Sequence, residues 1–315
     1  MPCFHPLDGW RSRHVGRSGK RAVTFNRAEA FVDLPVRVPC GQCVGCRLEY
    51  SRQWAMRIMH EAQLHDSSCF VTLTYDDKHL PRGGSLDKKA FPLFMKRLRR
   101  NEERAAERER RRPRRFRYFQ CGEYGDRNGR PHYHACLFGT DFSADRYHFK
   151  NSGSGYALFR SPSLEAAWQL GHCDIGALSF ESAAYVARYV VKKVRGTRAK
   201  EDYERVDVAT GELFELEPEF ATMSRRPGIG AEWLEKFGEE TYRDDSVIFR
   251  GKEMRPPGYY DRKYEEVDSG ALAEARAKRR RHVDAGEQTR ERLAAREKCA
   301  EARLELVRST REDSV

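Results

Sequence analysis

The sequence contains no run of about 18 apolar residues, so no segment is long enough to cross a bilayer as a helix. It also has no apolar stretch behind Met1–Pro6, where a secretory signal peptide would carry one. Its nine cysteines are an odd number, and without an export signal they are not typical of a secreted disulfide scaffold. An integral membrane protein and a secreted disulfide-bonded protein are therefore both excluded.

The chain also has no internal repeat and no G-x₄-G-K-[ST] motif, which excludes an attached P-loop helicase. Its charges are unbalanced: 59 Lys and Arg stand against 48 Asp and Glu among 315 residues, a formal net charge of +11. The cations are 45 Arg and only 14 Lys, and Arg suits bidentate contact with phosphate. This balance predicts a polyanionic partner, with a coding bias towards Arg as the alternative explanation.

Periodicity predicts alternating helices and strands after a mixed, basic stretch over 1–38 that shows no clear period. The expected helices have apolar residues at helical spacing or are rich in Ala, and they cover 47–64, 87–112, 163–170, 182–193, 231–237 and a single long charged segment over 271–312. The expected strands are β-branched and aromatic, and they cover 69–75, 116–123, 131–138, 173–178 and 247–249. The second and third of these strands form a hairpin.

Two basic segments are interpreted in two ways each. Residues 96–117 hold twelve Lys and Arg against four Glu, and this run is either a solvated helix face or a DNA-facing surface. In Ser224–Gly230, the side chains of Arg225 and Arg226 and the amides of a turn are suited to hold a backbone phosphate. An ordinary turn before a helix explains the same segment equally well.

His132 and His134 are the most informative pair in the sequence. On a strand, residues i and i+2 point to the same face, so both imidazoles converge on one side of the hairpin. A register symmetric about the loop brings Glu123 opposite His132. Two imidazoles and one carboxylate make a three-ligand site with open positions, which suits Mg²⁺ or Mn²⁺ in a phosphoryl-transfer site, although the same ligands take Zn²⁺ or Fe²⁺. Two half-buried histidines without a metal are the alternative.

Tyr185 and Tyr189 are four residues apart on a predicted helix and share one face. A tyrosine hydroxyl, with a pKa near 10, is a poor nucleophile unless its developing charge is stabilised. Lys192 and Lys193 follow three and four residues after Tyr189 on the same side and are suited to offset that charge. Packing of two aromatic side chains is the alternative interpretation.

Three cysteines, Cys40, Cys43 and Cys46, have C-x₂-C-x₂-C spacing, which in a chain without an export signal favours a metal over disulfides. They are one short of a closed four-thiolate zinc site, and Cys3 is the natural fourth ligand, with His5 behind it. Structural zinc, unligated thiols and an iron–sulfur cluster remain open. The other strand-associated cysteines are expected in the core, and they are Cys69, Cys121, Cys136 and Cys173.

Three segments occur in the order of the three motifs of HUH endonucleases, and the sequence resembles that superfamily. It is most similar to the replication initiators of microviruses, small single-stranded DNA phages, and particularly to their gokushovirus branch. The three motifs are Phe70–Tyr75, Cys121–Phe138 and Ala184–Lys193. Further segments similar to that branch are Pro39–Ala55, Met223–Gly230 and Pro256–Asp261. The resemblance covers roughly residues 38–261.

The resemblance implies an α+β fold: an HUH nuclease core with a central antiparallel sheet flanked by helices. Around this core we expect a Cys-rich N-terminal segment and a charged helical C-terminal tail. The predicted division is 1–66 for the Cys-rich segment and its helix, 67–195 for the nuclease core, 196–270 for a basic extension and 271–315 for the tail. The resemblance assigns His132, His134 and Glu123 as metal ligands.

The same resemblance assigns Tyr185 and Tyr189 as the nucleophiles that break a DNA strand and keep its 5′-phosphate, and Lys192 as the lysine that follows them. Arg188 and Lys193, on the same predicted helix, are assigned to DNA contact together with the two arginines of the basic turn.

The function that follows is a rolling-circle replication initiator, which nicks circular phage DNA at its origin, leaves a 3′-hydroxyl primer and later rejoins the strand. We expect single-stranded and origin DNA, a host helicase and a host DNA polymerase as partners, no membrane, and a location in the cytoplasm of the bacterial host. The expected cofactors are Mg²⁺ or Mn²⁺ at the catalytic site and zinc at the cysteines. The alternatives are a non-enzymatic zinc-containing DNA-binding protein and an HUH transposase; a relaxase is disfavoured by the order of the motifs.

Overall fold

The computed structural model of the protein describes residues 3–16, 19, 21–125, 129–153, 155–192, 203–206, 211–282 and 284–312, with the backbone alone at 189–192 and 307–312. The chain forms two compact units, one of Met1–Tyr50 with Arg279–Val315 and one of Ser51–Lys278. Each unit has its own sheet. Among the described residues, no helix combines the length and apolar character needed to cross a membrane.

The second unit is built around a seven-stranded, fully antiparallel sheet with the order β12-β5-β6-β4-β9-β8-β7. Its strands in chain order are β4 (Ser68–Tyr75), β5 (Arg117–Tyr124), β6 (Pro131–Phe138), β7 (Tyr147–Asn151), β8 (Ala157–Arg160), β9 (Gly171–Ala177) and β12 (Phe220–Met223). Two small antiparallel pairs accompany it, and they are β10 (Glu204–Val206) with β11 (Leu213–Glu215) and β13 (Val247–Phe249) with β14 (Lys252–Met254).

Four helices pack on this sheet, and they are the residues of α1 (Val44–Ala62) from position 51 onwards, α2 (Ala90–Arg108), α3 (Pro162–Trp168) and α4 (Phe180–Lys192). Helices α2 and α3 pack on one face, and α1 and α4 on the other. Helices α5 (Ala231–Asp244), α6 (Gly258–Tyr264) and α7 (Ser269–Arg281) share a further core with Met56 of α1. The α+β class with a large antiparallel sheet, expected from the resemblance, is confirmed.

Alternation along β6 separates the two faces of the sheet. Tyr133, Ala135 and Leu137 are fully buried in a core that includes apolar residues of α2 and α3. The intervening residues Cys136 and Phe138 are buried in a second core, which includes residues of α1 and α4. The α1 and α4 face is the one to which His132 and His134 belong, as the i, i+2 pattern predicts. The four cysteines expected in the core, at positions 69, 121, 136 and 173, are all buried.

The first unit contains a three-stranded antiparallel sheet and one long helix. The sheet has the order β2-β1-β3, and its strands are β1 (Leu7–Val15), β2 (Arg21–Thr24) and β3 (Ala30–Val38). The helix is α8 (Arg290–Glu312), and its Leu293 is buried against Cys3, Phe4, Cys43 and Val44. The segment 1–38, in which no period is visible, is therefore mostly sheet.

The single helix expected over 271–312 is wrong, because α7 ends at Arg281 and α8 begins at Arg290. Between them, Asp284 Oδ1 accepts a hydrogen bond from the Gly286 N–H at 2.8 Å, which favours a turn over a continuing helix. Thr289 then caps α8, since its hydroxyl accepts from the Arg292 N–H at 3.3 Å. The helix expected over 231–237 is also longer than predicted and continues to Asp244.

Glu102 on α2 is a buried carboxylate whose side chain is 4% exposed, and it binds the Arg-rich segment that follows the helix. Its Oε2 accepts from Arg114 Nη2 at 2.8 Å, and Arg111 forms a second ion pair with Oε1. Burial alone would raise the pKa of Glu102, but the hydrogen bonds from Arg114 and Arg111 outweigh it and lower the pKa to about 2. The ionised carboxylate therefore stabilises the fold.

Glu102→Gln should lower the free energy of unfolding by about 2 kcal/mol at pH 7, the usual worth of a hydrogen bond to a charged group. Because the folded pKa is depressed from 4.5 to about 2, this contribution is present above pH 4.5 and is lost as the pH falls towards 2. Urea unfolding at neutral and acidic pH measures the difference. Glu103→Gln, an exposed neighbour, is the matched control; a difference independent of pH would contradict the assignment.

Candidate active site

The hairpin of β5 and β6 brings the three predicted ligands together. Glu123 pairs directly with His132 in the antiparallel register, as a hairpin symmetric about its loop predicts. Glu123 Oε1 lies 2.8 Å from His132 Nε2 and 2.9 Å from His134 Nε2. The carboxylate is 2% exposed and the two imidazoles 16% and 9%, so the cluster is largely shielded from solvent.

Each imidazole is oriented by a second partner on its other nitrogen. His132 Nδ1 lies 3.1 Å from the carbonyl oxygen of Arg130, and His134 Nδ1 lies 3.0 Å from Thr72 Oγ1 on β4. Such outer contacts fix the ring and point Nε2 at the centre, as they do in metal sites. The ring of Phe70 also stacks on His134, with centroids 5.3 Å apart.

The hydrogen-bond pattern of His132 requires a positive charge between its Nε2 and Glu123 Oε1. The Arg130 carbonyl is an acceptor only, so Nδ1 donates to it, and a neutral ring then directs the lone pair of Nε2 at Glu123 Oε1. Two acceptors 2.8 Å apart need either a proton on the ring or a metal ion beside them. Among the described residues, Glu123 Oε2 is buried without a hydrogen-bond partner, which leaves a carboxylate oxygen available to a cation.

Electrostatics keep the ligands in the forms that bind a cation. Burial alone would raise the pKa of Glu123, but the contacts with His132 and His134 hold its pKa below the ordinary value, so the carboxylate is ionised. Burial lowers the pKa of His134, which the neighbouring carboxylate offsets only in part, so its imidazole is neutral at pH 7. Ionised carboxylate and neutral imidazole are the forms in which these groups ligate metals.

Helix α4 carries the predicted nucleophiles across this site. Ser179 caps it, because its Oγ accepts from the Ser182 N–H at 3.2 Å while Ser182 Oγ accepts from the Ser179 N–H at 2.9 Å. The buried face of the helix includes Ala183 and Val186, which pack in the core shared with α1. This packing places Tyr185 over the hairpin.

Tyr185 directly contacts the cluster of Glu123, His132 and His134, the candidate metal ligands. Its hydroxyl donates to Glu123 Oε1 at 3.4 Å, and its ring meets the His134 ring edge-on with centroids 5.1 Å apart. The backbone of Tyr189 and Lys192 lies in α4, but their side chains, and the whole of Lys193, lie outside the described residues. A tyrosine hydroxyl therefore lies beside two imidazoles and a carboxylate.

The other predicted DNA contacts lie elsewhere on the second unit. Arg188 is half-buried on α4, one turn after Tyr185, whereas Arg225 and Arg226 are exposed in the turn that follows β12. The sequence-based prediction did not include Thr72 or Phe70. Alternation along β4 places both residues on the face of the sheet that holds His134. A Thr at such a position, on a strand that pairs with the H-x-H strand, is the sequence signal that would have identified Thr72.

The four predicted cysteines of the first unit also come together. The sulfur atoms of Cys3, Cys40, Cys43 and Cys46 lie within 4.8 Å of one another, and Cys40 and Cys46 are 4.0 Å apart. A tetrahedral zinc with bonds of about 2.3 Å has sulfur–sulfur edges of about 3.8 Å, close to this spacing. All four cysteines are free thiols.

Backbone donors surround these sulfurs. Cys40 Sγ accepts from the N–H groups of Gln42 and Cys43 at 3.4 and 3.3 Å, and Cys43 Sγ accepts from the Phe4 N–H at 3.3 Å. Burial raises the pKa of the Cys40 thiol, but the backbone N–H groups of Cys43 and Gln42 outweigh it and lower the pKa to about 7. Thiolate, the form that binds a metal, is thereby favoured at Cys40, whereas burial raises the pKa of the Cys3 and Cys46 thiols.

Comparison with known proteins identifies relatives of the chain. A family model described as replication-associated protein ORF2/G2P matches residues 68–194, the segment that holds β4 to α4. The chain is 34% identical over 269 residues to the replication-associated protein VP4 of Bdellovibrio phage phiMH2K, covering 84% of this chain and 78% of that protein. It is 34% identical over 237 residues to the replication-associated protein ORF2 of Spiroplasma virus 4, covering 72% and 68%.

A further relative is the replication-associated protein ORF4 of Chlamydia phage 1, 31% identical over 159 residues, which are 50% of this chain and 38% of that protein. No solved structure gives a significant match. The alignments with the first two relatives cover 269 and 237 residues and are therefore much longer than the β4–α4 segment. The chain therefore belongs to the family of replication-associated proteins found in these phages.

Proposed function

We propose that the protein is a metal-dependent HUH tyrosine endonuclease that initiates rolling-circle replication of a small circular phage DNA of the microvirus group. The observation that carries this proposal is the position of the Tyr185 hydroxyl, 3.4 Å from the carboxylate oxygen of Glu123 that both imidazoles also contact. Membership of the replication-associated family supports the role in replication.

The residues fit a divalent cation. His132, His134 and Glu123 would hold Mg²⁺ or Mn²⁺, a nitrogen and oxygen ligand set that suits a phosphoryl-transfer site, and the unpartnered Glu123 Oε2 fits a further contact. When bound, the ion supplies polarisation of the scissile phosphate and offsets its negative charge.

Tyr185 acts as the nucleophile in this proposal. Its oxygen forms a bond to phosphorus as the bond between phosphorus and the 3′ oxygen breaks; the phenol loses its proton and the departing 3′ oxygen gains one. The products are a 5′-phosphotyrosine and a free 3′-hydroxyl. Helix α4 limits the freedom of Tyr185, so the hydroxyl is already positioned for attack.

Tyr189 lies one helical turn further along α4 and serves as the second nucleophile, with Lys192 offsetting negative charge. After one round of synthesis, the second tyrosine cleaves the regenerated origin and the released 3′-hydroxyl attacks the first linkage, which closes a unit circle. The phosphotyrosine conserves the bond energy, so joining needs no ATP. We propose a host polymerase and a host helicase as partners in the bacterial cytoplasm.

We also propose that Cys3, Cys40, Cys43 and Cys46 hold a structural zinc ion. The four sulfurs lie within 4.8 Å of one another, near the spacing of a tetrahedral site, and backbone N–H groups stabilise the negative charge of the Cys40 thiolate. The ion would link the start of the chain to the start of α1 within the first unit.

A covalent adduct is the test of the nuclease. The purified chain is incubated with Mn²⁺ and end-labelled single-stranded fragments that tile the phage plus strand, and the products are separated on a denaturing gel. We expect a protein-linked fragment that carries the 3′ part of one oligonucleotide and that is absent in EDTA and in the Tyr185→Phe/Tyr189→Phe double variant. DNA binding without any adduct under any divalent metal would reject the nuclease and favour a zinc-containing DNA-binding protein.

A further inference from the structure

A groove of about 890 Å³ lies at the β12 edge of the sheet in the second unit. Its walls are formed by α2, by the segment that enters β5 and by the turn that follows β12. Among its lining residues are one carboxylate, Glu103, and six arginines, which are Arg99, Arg114, Arg115, Arg117, Arg225 and Arg226. Such a concentration of one charge indicates an anionic ligand.

The groove is separate from the metal-ligand cluster. Helix α2, one wall of the groove, packs on the face of the sheet that holds Tyr133 and Leu137, opposite the face of His132 and His134, whereas Arg117 at the floor of the groove lies on the histidine face. Along β5, Arg117 and Glu123 are six residues apart, which is about 20 Å in an extended strand. A phosphate bound in the groove is therefore not the phosphate beside Tyr185.

The turn that carries Arg225 and Arg226 is held by a buried ion pair. Arg117, with a side chain 3% exposed, lies 2.5 Å from Glu61, which is fully buried. Arg117 Nη2 also donates to the Pro227 carbonyl at 2.8 Å, and Glu61 Oε2 accepts from the Gly230 N–H at 2.7 Å. Gly230 has φ +74°, and an added Cβ would lie 2.5 Å from the Tyr260 hydroxyl, so this end of the turn fits only glycine.

Part of the positive charge of the groove is not paired with a carboxylate among the described residues. Arg114 is paired with Glu102, and Arg117 with Glu61. Within the part of the chain that the structure describes, Arg99, Arg225 and Arg226 form no ion pair, although Arg99 donates to the Phe116 carbonyl at 3.2 Å. These three guanidinium groups are exposed around one groove, and their mutual repulsion would be relieved by a bound polyanion.

We propose that this groove is a second phosphate-binding site, which holds the sugar–phosphate backbone of a DNA strand away from the scissile phosphate. The inference rests on the proposed function for the identity of the polyanion. Guanidinium groups match phosphate in bidentate geometry. The bound backbone belongs either to a single strand or to one strand of an adjoining duplex.

The salt dependence of DNA binding tests this site. Arg225→Gln/Arg226→Gln is compared with wild type by fluorescence anisotropy in EDTA, over a range of NaCl concentrations, with a single-stranded oligonucleotide and with a duplex. If two phosphate contacts are lost, the slope of log K against log salt should fall by about 1.4 with the single strand or about 1.8 with the duplex. A fall of 1.4 corresponds to about 25-fold weaker single-strand binding at 0.1 M salt.

The control removes the same charge elsewhere on the second unit. Arg243→Gln/Arg262→Gln changes two exposed arginines on α5 and α6, and its slope should stay close to wild type. A loss of slope with one probe alone supports the groove and identifies its strand source. An unchanged slope with both probes, or a loss no larger than in the control, overturns the proposal. The binding measurement is made in EDTA, where no cleavage occurs, so it does not depend on nuclease activity. A protein without nuclease activity can still show the change in slope, and a protein with nuclease activity can still fail to show it.

Discussion

Tyr185→Phe should lower the rate of covalent adduct formation by about 10⁴-fold or more, the size of loss expected when a nucleophile is removed. The hydroxyl is the only atom group that this substitution deletes, and it lies 3.4 Å from Glu123 Oε1. The ring contact with His134 is kept, so the ligand cluster should keep its shape. Single-turnover cleavage of the origin oligonucleotide in Mn²⁺ measures the rate.

Two further variants separate chemistry from structure. Tyr156→Phe is the matched control, since Tyr156 is 67% exposed on a loop of the same unit and should cleave at the wild-type rate. Tyr189→Phe should form the first adduct and fail to release closed circles. An adduct formed by Tyr185→Phe at the wild-type rate would show that another group attacks, and the proposed role of Tyr185 would then be wrong.

The candidate site was predictable because its geometry is local. Glu123, His132 and His134 lie on one hairpin, and the period of two along a strand, with a connection of six residues between β5 and β6, fixes which side chains meet. Predicting that Tyr185 belongs to the site also required the family resemblance, because the periodicity of α4 does not indicate which face of the sheet the helix covers. The contacts of Thr72 and Phe70 with His134 depend on the pairing of β4 with β6, between strands 60 or so residues apart in sequence.

The features that the sequence pattern did not predict depend on distant partners or on weak patterns. The edge strand β12 pairs with β5, about 100 residues earlier, and its four residues carry no strong alternation. Strands β1 and β3 are exposed along most of their length, so apolar residues do not mark a buried face. The break between α7 and α8 rests on short-range turn chemistry at Asp284, within a segment whose Ala, Arg and Glu content favours helix throughout.

Removing cysteines of the proposed zinc site should unfold the first unit. Cys43→Ser/Cys46→Ser removes two of four sulfurs, and a structural zinc binds with about 10–16 kcal/mol in small domains, as much as the whole stability of a typical domain. The described apolar cluster of this unit is small, with five buried residues that include Cys3 and Leu293. A core of that size needs a metal or another cross-link. Bound zinc per chain and the rate of tryptic cleavage within 3–50 measure the effect.

We expect about one zinc per chain in the wild type, none in the double variant, and tryptic cleavage of the first unit at least 100-fold faster, because opening would no longer be opposed by metal binding. Cys299→Ser is the matched control: it removes an exposed thiol from α8 of the same unit and should change neither zinc content nor cleavage. A wild type that holds no zinc would contradict the site. A zinc-free double variant that resists trypsin would show instead that the apolar contacts of Leu293 and Phe4 suffice to hold the unit, and the ion would then have no structural role.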